Sequence, residues 1–112
     1  MKILFVLFLC LNFSTYAQQI TIWGKVVDRE TSNGLQDANI TLISETTKGT
    51  TTDKNGEFRF FTDVKPSDKL IISYVGFETK SITITELNNI PSTPTSDGGI
   101  FYLFYLDYKI IH

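Results

Sequence analysis

Residues 49–58 read Gly-Thr-Thr-Thr-Asp-Lys-Asn-Gly-Glu-Phe, a run of threonines followed by a turn and by the start of a new alternating segment. Within this stretch Asn55-Gly56 is the strongest turn signal, because both residue types accept a positive φ angle. The segment after the turn, Glu57 to Phe61, alternates polar and aromatic residues in the manner of a half-buried strand. The stretch therefore predicts a β-hairpin that joins two strands.

The rest of the mature chain repeats this pattern of short alternating runs closed by turn residues, and it shows no useful stretch of helical periodicity. In the first run, residues 20–27, Gly24 lies on the core face and Trp23 and Lys25 lie on the opposite face. We predict an all-β domain of about seven antiparallel strands. Its predicted core residues are Ile22, Val26, Leu35, Ile40, Leu42, Phe58, Phe60, Leu70, Ile72, Ile82 and Ile84.

Two further phrases flank the central stretch: Gly-Leu-Gln-Asp-Ala-Asn-Ile at residues 34–40 and Ser-Tyr-Val-Gly-Phe at residues 73–77. Together the three phrases resemble the carboxypeptidase regulatory-like domain, and the resemblance covers roughly residues 20–85. It implies a prealbumin-like Greek-key β-sandwich. Domains of this family accompany the catalytic unit of some metallocarboxypeptidases and extend the N-terminus of TonB-dependent outer-membrane receptors for glycan or siderophore uptake. The resemblance thus implies a non-catalytic module that contacts an envelope or outer-membrane protein.

The N-terminal residues 1–17 have the features of a signal peptide. A positively charged start, Met1-Lys2, precedes an apolar run, and Ala17 supplies a small residue at the cleavage site. The apolar run, residues 3–11, is shorter than the roughly 20 residues that span a bilayer. We therefore predict export to the periplasm or outer membrane and a mature chain without a transmembrane span. The only cysteine, Cys10, is removed with this segment.

The mature chain divides into three predicted segments. Residues 18–87 form the sandwich, residues 88–99 form a loop or linker rich in proline, glycine and hydroxyl residues, and residues 100–112 form a C-terminal strand that completes the sandwich. This tail is apolar on both faces up to Asp107, as a central strand is. The alternative is a strand that pairs with a partner chain. In that case Tyr105 and Tyr108 are candidate contact residues.

The composition argues against several classes of function. The formal net charge is −2 and the basic residues are not clustered, so nucleic acid is not a predicted partner. The single histidine, His112, cannot build a zinc site or serve as the base for a hydroxyl nucleophile within the fold. We therefore predict that the protein is not an enzyme and has no catalytic residues and no cofactor.

Two features remain as candidate sites. Asp53, Asn55 and Glu57 place oxygen ligands at alternate positions, like the opening of a calcium loop, although Phe58 follows where the pattern needs another ligand. A simple turn explains the same residues. Trp23, on the outward face, could stack on a glycan or anchor a protein. The two hypotheses are therefore an envelope module that acts by protein contact and a small secreted sandwich that binds a carbohydrate or an ion.

Overall fold

A computed structural model describes residues 18–109 of the chain. The predicted signal peptide and residues 110–112 of the predicted tail lie outside the described residues. The described part contains eight strands and one 3-10 helix: β1 Gln18–Asp28, β2 Asn39–Leu42, β3 Glu45–Thr51, β4 Glu57–Val64, β5 Lys69–Ser73, β6 Lys80–Thr83, the 3-10 helix Ile84–Asn89, β7 Ser92–Pro94 and β8 Ile100–Leu106. Across residues 18–109 no helix has the length and apolar character to span a membrane.

The strands form two four-stranded sheets that pack face to face. Sheet A has the strand order β4-β1-β8-β7, and sheet B has the order β3-β2-β5-β6. The predicted β-sandwich is therefore confirmed. Nearly all the predicted core residues are buried between the sheets, and Ile84 is partly buried against them. Phe104 and Leu106 of β8 are also fully buried, because β8 lies between β1 and β7 inside sheet A.

The strand count and one strand direction differ from the expectation. Eight strands are present instead of about seven, because residues 92–94 of the predicted loop form the short edge strand β7. At this edge position Pro94 is tolerated, since a proline does not need to donate on the open side. The turn at residues 95–99, with Gly98 at φ +92, then reverses the chain. As a result β8 enters the sheet parallel to β1 instead of antiparallel.

The predicted hairpin at residues 49–58 is wrong in its pairing. The turn at residues 53–56 connects β3 in sheet B with β4 in sheet A, so the two strands flanking it do not pair with each other. The reason is tertiary: the Val26 amide of β1 donates to the Gly56 carbonyl (2.8 Å), which draws the end of the turn onto β1. A Cβ atom on Gly56 would lie 2.7 Å from Cα of Gly34. The two glycines therefore allow two backbone segments to touch.

Thr52 joins the same two sequence phrases by hydrogen bonds. Its side chain is buried, and its hydroxyl accepts the Ala38 amide proton (2.9 Å) and donates to the Leu35 carbonyl. The Thr52 amide also donates to the Ala38 carbonyl (3.0 Å). Buried backbone groups need such partners, because an unsatisfied group costs about 1–3 kcal/mol. Residues 34–40 and 49–58 thus form one packed structural unit.

Candidate interaction surface

The solvent-facing side of sheet A carries the largest apolar side chains outside the core. These side chains occupy the alternate positions of β4, β1 and β8 that point away from sheet B, and we call this surface the outer face: Arg59, Phe61, Trp23, Phe101, Leu103 and Tyr105. Trp23 of β1 is the register partner of both Arg59 on β4 and Phe101 on β8. The three side chains therefore form one row across the sheet.

Trp23 is held between its two neighbours in this row. Its ring meets the Phe101 ring edge to face, with the ring centroids 5.5 Å apart. The guanidinium carbon of Arg59 lies 4.4 Å from the centroid of the Trp23 ring, a cation–π contact. The tryptophan is therefore half-buried and preorganised, and one of its faces is covered by a cation.

Phe61 extends the apolar surface toward the edge of the sheet. It is 64% exposed, although phenylalanine is among the side chains most often buried in proteins. Its register partner on β1 is Thr21, a small side chain that leaves the ring open to solvent. Ile100, the residue before Phe101 at the start of β8, is 48% exposed. The outer face therefore carries exposed Phe61 beside the row of Trp23 and Phe101.

A shallow depression of about 260 Å³ lies beside the row, lined by Thr21, Trp23, Arg59, Asp97, Gly99 and Ile100. At its rim the Thr95 hydroxyl donates to Asp97 and, together with the Gly99 amide, lowers the pKa of that carboxyl group. Asp97 is therefore a carboxylate at neutral pH and faces the same depression as the Arg59 cation. A second depression, about 300 Å³, lies beside Phe101 and Leu103.

Tyr105 lies on the outer face at the far end of β8. The guanidinium carbon of Arg29 is 5.2 Å from the centroid of the Tyr105 ring, and Nε of Arg29 is 2.6 Å from Oδ1 of Asp107. The carbonyl oxygen of Tyr105 accepts a hydrogen bond from Nζ of Lys80 (3.2 Å). Tyr105 thus shares a face with Trp23, but polar contacts surround it.

Tyr108 is placed elsewhere and has a structural role. Its ring stacks on Phe77 with the centroids 4.5 Å apart, and its hydroxyl donates to Oδ2 of Asp28 (2.6 Å). This hydrogen bond raises the pKa of Tyr108 and lowers the pKa of the Asp28 carboxyl group. The side chain remains 45% exposed, but it attaches the segment just after β8 to the sandwich instead of joining the Trp23 row.

The three predicted oxygen ligands lie at the turn between β3 and β4. Oδ1 of Asp53 accepts the backbone protons of Glu57 and Asn55, both at 2.9 Å, and these bonds lower the pKa of the Asp53 carboxyl group. That carboxylate therefore stabilises its own turn. Among residues 18–109 no group of three His, Cys, Asp or Glu side chains is arranged to hold a metal ion.

The sequence pointed to part of the outer face and missed the rest. Alternation placed Trp23 on it, because its neighbours Ile22 and Gly24 face the core. The same argument would place Phe61 outside, since Phe58 and Phe60 face inward. Phe101 could not be assigned to a face, because the tail is apolar at successive positions. The depression beside Asp97 depends on the turn after β7, which the sequence did not predict as part of the sheet.

Comparisons with known proteins connect this sandwich to a family. The model of the CarboxypepD_reg-like domain matches residues 22–96. The TonB-dependent receptor SusC of Bacteroides thetaiotaomicron is 31% identical over 80 residues, which are 71% of this chain and 8% of that receptor. The chain thus spans a small fraction of the receptor's length.

A solved structure shares the architecture. It is the crystal structure of 3-chlorocatechol 1,2-dioxygenase from Rhodococcus opacus 1CP, with a TM-score of 0.54 and 14% sequence identity. The similarity covers 88% of this chain and 63% of the dioxygenase chain. At this level of identity the two proteins share a β-sandwich fold, and the likeness carries no information about activity.

Proposed function

Because the chain belongs to the CarboxypepD_reg-like domain family, we propose that it is an exported, non-catalytic β-sandwich module that acts in the bacterial cell envelope by binding another protein. The observation that carries this proposal is the outer face of sheet A, where exposed Phe61 continues the row of Trp23 and Phe101. Aromatic and arginine side chains at the centre of a patch dominate the energy of protein interfaces. The similarity to a TonB-dependent receptor supports an outer-membrane setting.

The geometry favours a protein partner over a glycan. The outer face is broad and open, and its depressions are shallow, whereas small-molecule sites are concave and bury most of the ligand. A sugar that stacked on the covered face of Trp23 would first have to displace the Arg59 guanidinium. A protein can instead use both residues together, since arginine and tryptophan are enriched at interface centres.

Site-specific photo-crosslinking in cells tests this proposal. A photoreactive amino acid at position 61 lies on the outer face, and the same probe at position 75 is the control, because Val75 is 92% exposed but lies at the loop between β5 and β6. We expect a discrete cross-linked product with a different envelope protein from position 61 only. Equal products from both positions, or no heterologous product from position 61, would contradict the proposal.

A carbohydrate or ion site is the second candidate, and the depression that brings together Trp23, Arg59 and Asp97 is the observation in its favour. Trp23 is the only tryptophan, so intrinsic fluorescence reports directly on this site. Titration with neutral and acidic oligosaccharides and with calcium is expected to produce no saturable change. A saturable change that is lost in an Asp97→Asn variant would establish the second function instead.

Export is tested separately. The intact mass of the protein recovered from the cell envelope is expected to correspond to a chain that begins at Gln18. Retention of residues 1–17 would show that the predicted cleavage after Ala17 is wrong. The same preparation is expected to show no peptidase activity that a chelator inhibits, because His112 is the only histidine.

A further inference from the structure

β4 forms one edge of sheet A. Among the strands of residues 18–109, its only neighbour in the sheet is β1. The hydrogen bond from the Val26 amide to the Gly56 carbonyl sets the phase of this pairing. The amide and carbonyl of one residue point to the same side of a strand, and this side alternates from each residue to the next. Residues an even number of positions after Gly56 therefore direct their backbone groups toward β1. Arg59, Phe61 and Asp63 therefore direct their backbone groups to the open edge.

This edge lacks most of the features that normally prevent strands from pairing. β4 is eight residues long, its register with β1 has no shift, and it contains no proline. Proteins usually protect such an edge with a short strand, a bulge, a proline or charged side chains. Of these features, β4 itself has only charged side chains.

The outward positions of β4 carry charges in a self-complementary order. Along the chain they are Glu57, Arg59, Phe61 and Asp63, and Lys65 follows the end of the strand. If two copies pair antiparallel about Phe61, each Arg59 lies opposite Asp63 of the second copy. Glu57 and Lys65 then lie opposite each other farther out. Directly opposed charges of opposite sign stabilise an antiparallel pair.

The two neighbouring registers are disfavoured by the same charges. Shifting the centre one residue toward the start of the strand places Glu57 opposite Asp63 of the second copy. Shifting it one residue the other way places Arg59 opposite Lys65. Like charges directly opposite each other destabilise a strand pair. The charge order therefore selects the register in which Phe61 meets Phe61.

We propose that this protein forms a twofold-symmetric dimer through antiparallel pairing of its β4 strands, centred on Phe61. The central pair and the two Arg59–Asp63 pairs each exchange two backbone hydrogen bonds, about six in total. The contact is isologous, so it closes after two copies and does not propagate into a fibre. It joins the two A sheets into one eight-stranded sheet.

The dimer also changes the outer face. The two Phe61 rings meet at the twofold axis, and the Trp23 rows of both copies become one continuous surface. Arg59 remains stacked on Trp23 through its planar face and uses its N–H groups for Asp63 of the second copy. The dimer is tested on the purified chain alone, without another envelope protein. In the cross-linking experiment a product with a second copy at position 61 reports the dimer, and a product with a different protein reports the proposed function, so the two outcomes are distinguishable.

Sedimentation velocity of the purified protein with three charge-reversal variants tests the proposal. Asp63→Arg leaves a basic side chain at both position 59 and position 63. Arg59→Asp leaves an acidic side chain at both positions. We expect a concentration-dependent dimer for the wild type and at least a tenfold weaker dimer for each variant alone, since each reversal creates two like-charge contacts by symmetry. Glu30→Arg, an exposed reversal in the turn after β1, is the matched control and is expected to dimerise normally.

Mixing the two variants supplies the decisive result. In a heterodimer of Asp63→Arg with Arg59→Asp, every base at these positions again lies opposite an acid, so a one-to-one mixture is expected to recover the dimer. Thermal melts of each variant alone establish that it is folded. A wild type that is monomeric up to about 1 mM, or a dimer that the reversals leave unchanged, would overturn the proposal.

Hydrogen exchange provides the second measurement. The amides of Arg59, Phe61 and Asp63 are expected to become protected as the protein concentration rises through the dimerisation range. The amides of Phe58 and Phe60 bond within the monomer and should not change. A dimer in which the Arg59, Phe61 and Asp63 amides stay unprotected would use another interface and would overturn the proposal.

Discussion

Replacing Gly56 with alanine tests a close contact between two backbone segments of the sandwich. Gly56 has a φ of +82, and an added Cβ would lie 2.7 Å from both Cα of Gly34 and the carbonyl oxygen of Val26. It would also lie 2.8 Å from the Leu35 amide nitrogen. All three atoms belong to the backbone, so no side-chain rotation can relieve the contact. The methyl group must instead separate the turn from β1.

The magnitude follows from two contributions. A left-handed backbone costs an L-residue about 1–2 kcal/mol. Inserting a methyl group into a fully packed region costs a further 1–3 kcal/mol or so. The free energy of unfolding is therefore expected to fall by about 2–5 kcal/mol, a large fraction of the roughly 5–15 kcal/mol typical of a single domain.

Gly98→Ala is the matched control for this prediction. Gly98 has a φ of +92, but no atom of the described residues lies within 4 Å of the position of its Cβ atom. An alanine at this position therefore incurs only the cost of the left-handed backbone. Urea and thermal unfolding of both variants isolate the contact between the two backbone segments. We expect Gly56→Ala to melt about 4–24 °C below Gly98→Ala, from about 4–8 °C per kcal/mol for a domain of this size. Equal losses in the two variants would refute the close-approach argument.

Three further results are expected. Tyr108→Phe should lower stability at neutral pH and flatten the pH dependence of stability at both ends. The lowered pKa of Asp28 contributes stability above the unfolded pKa of 3.8, and this stability is lost as pH falls through the folded pKa. The raised pKa of Tyr108 contributes stability below the unfolded pKa of 10.0, and this stability is lost as pH rises through the folded pKa. A pH series of urea midpoints checks this, and an unchanged series contradicts it. Thr52→Val should lower the free energy of unfolding, measured in urea, by about 2–4 kcal/mol, because it leaves a buried amide and a buried carbonyl without hydrogen-bond partners. Thr52→Ser keeps both hydrogen bonds and should lower it by about 1 kcal/mol. A chain that ends at Asn88 lacks the interior strand β8 and should aggregate or melt without cooperativity; a monomeric, cooperatively melting product would show that β8 is dispensable.

The outer face shows which features the alternation of side chains along a strand predicts and which it does not. The period of two in β1 and β4 placed Trp23 outside and Phe58 and Phe60 inside, because successive side chains of a strand point to opposite faces. It carried no information about which strands are neighbours. The contacts of Trp23 with Arg59 and Phe101 join residues from three strands far apart in sequence, so only the folded sheet brings them together.

The amino-acid sequence was enough to predict the all-β class, the family and nearly all of the core, because turn residues and alternation are local properties of the chain. Strand pairing, in contrast, depends on tertiary contacts. The turn at residues 53–56 looks like a hairpin locally, but the hydrogen bond between Val26 and Gly56 assigns β4 to the sheet opposite β3. Likewise the weak strand β7 forms because β8 offers it an edge, and its turn sets β8 parallel to β1. Strand neighbours and directions depend on contacts between distant segments, which local patterns do not encode.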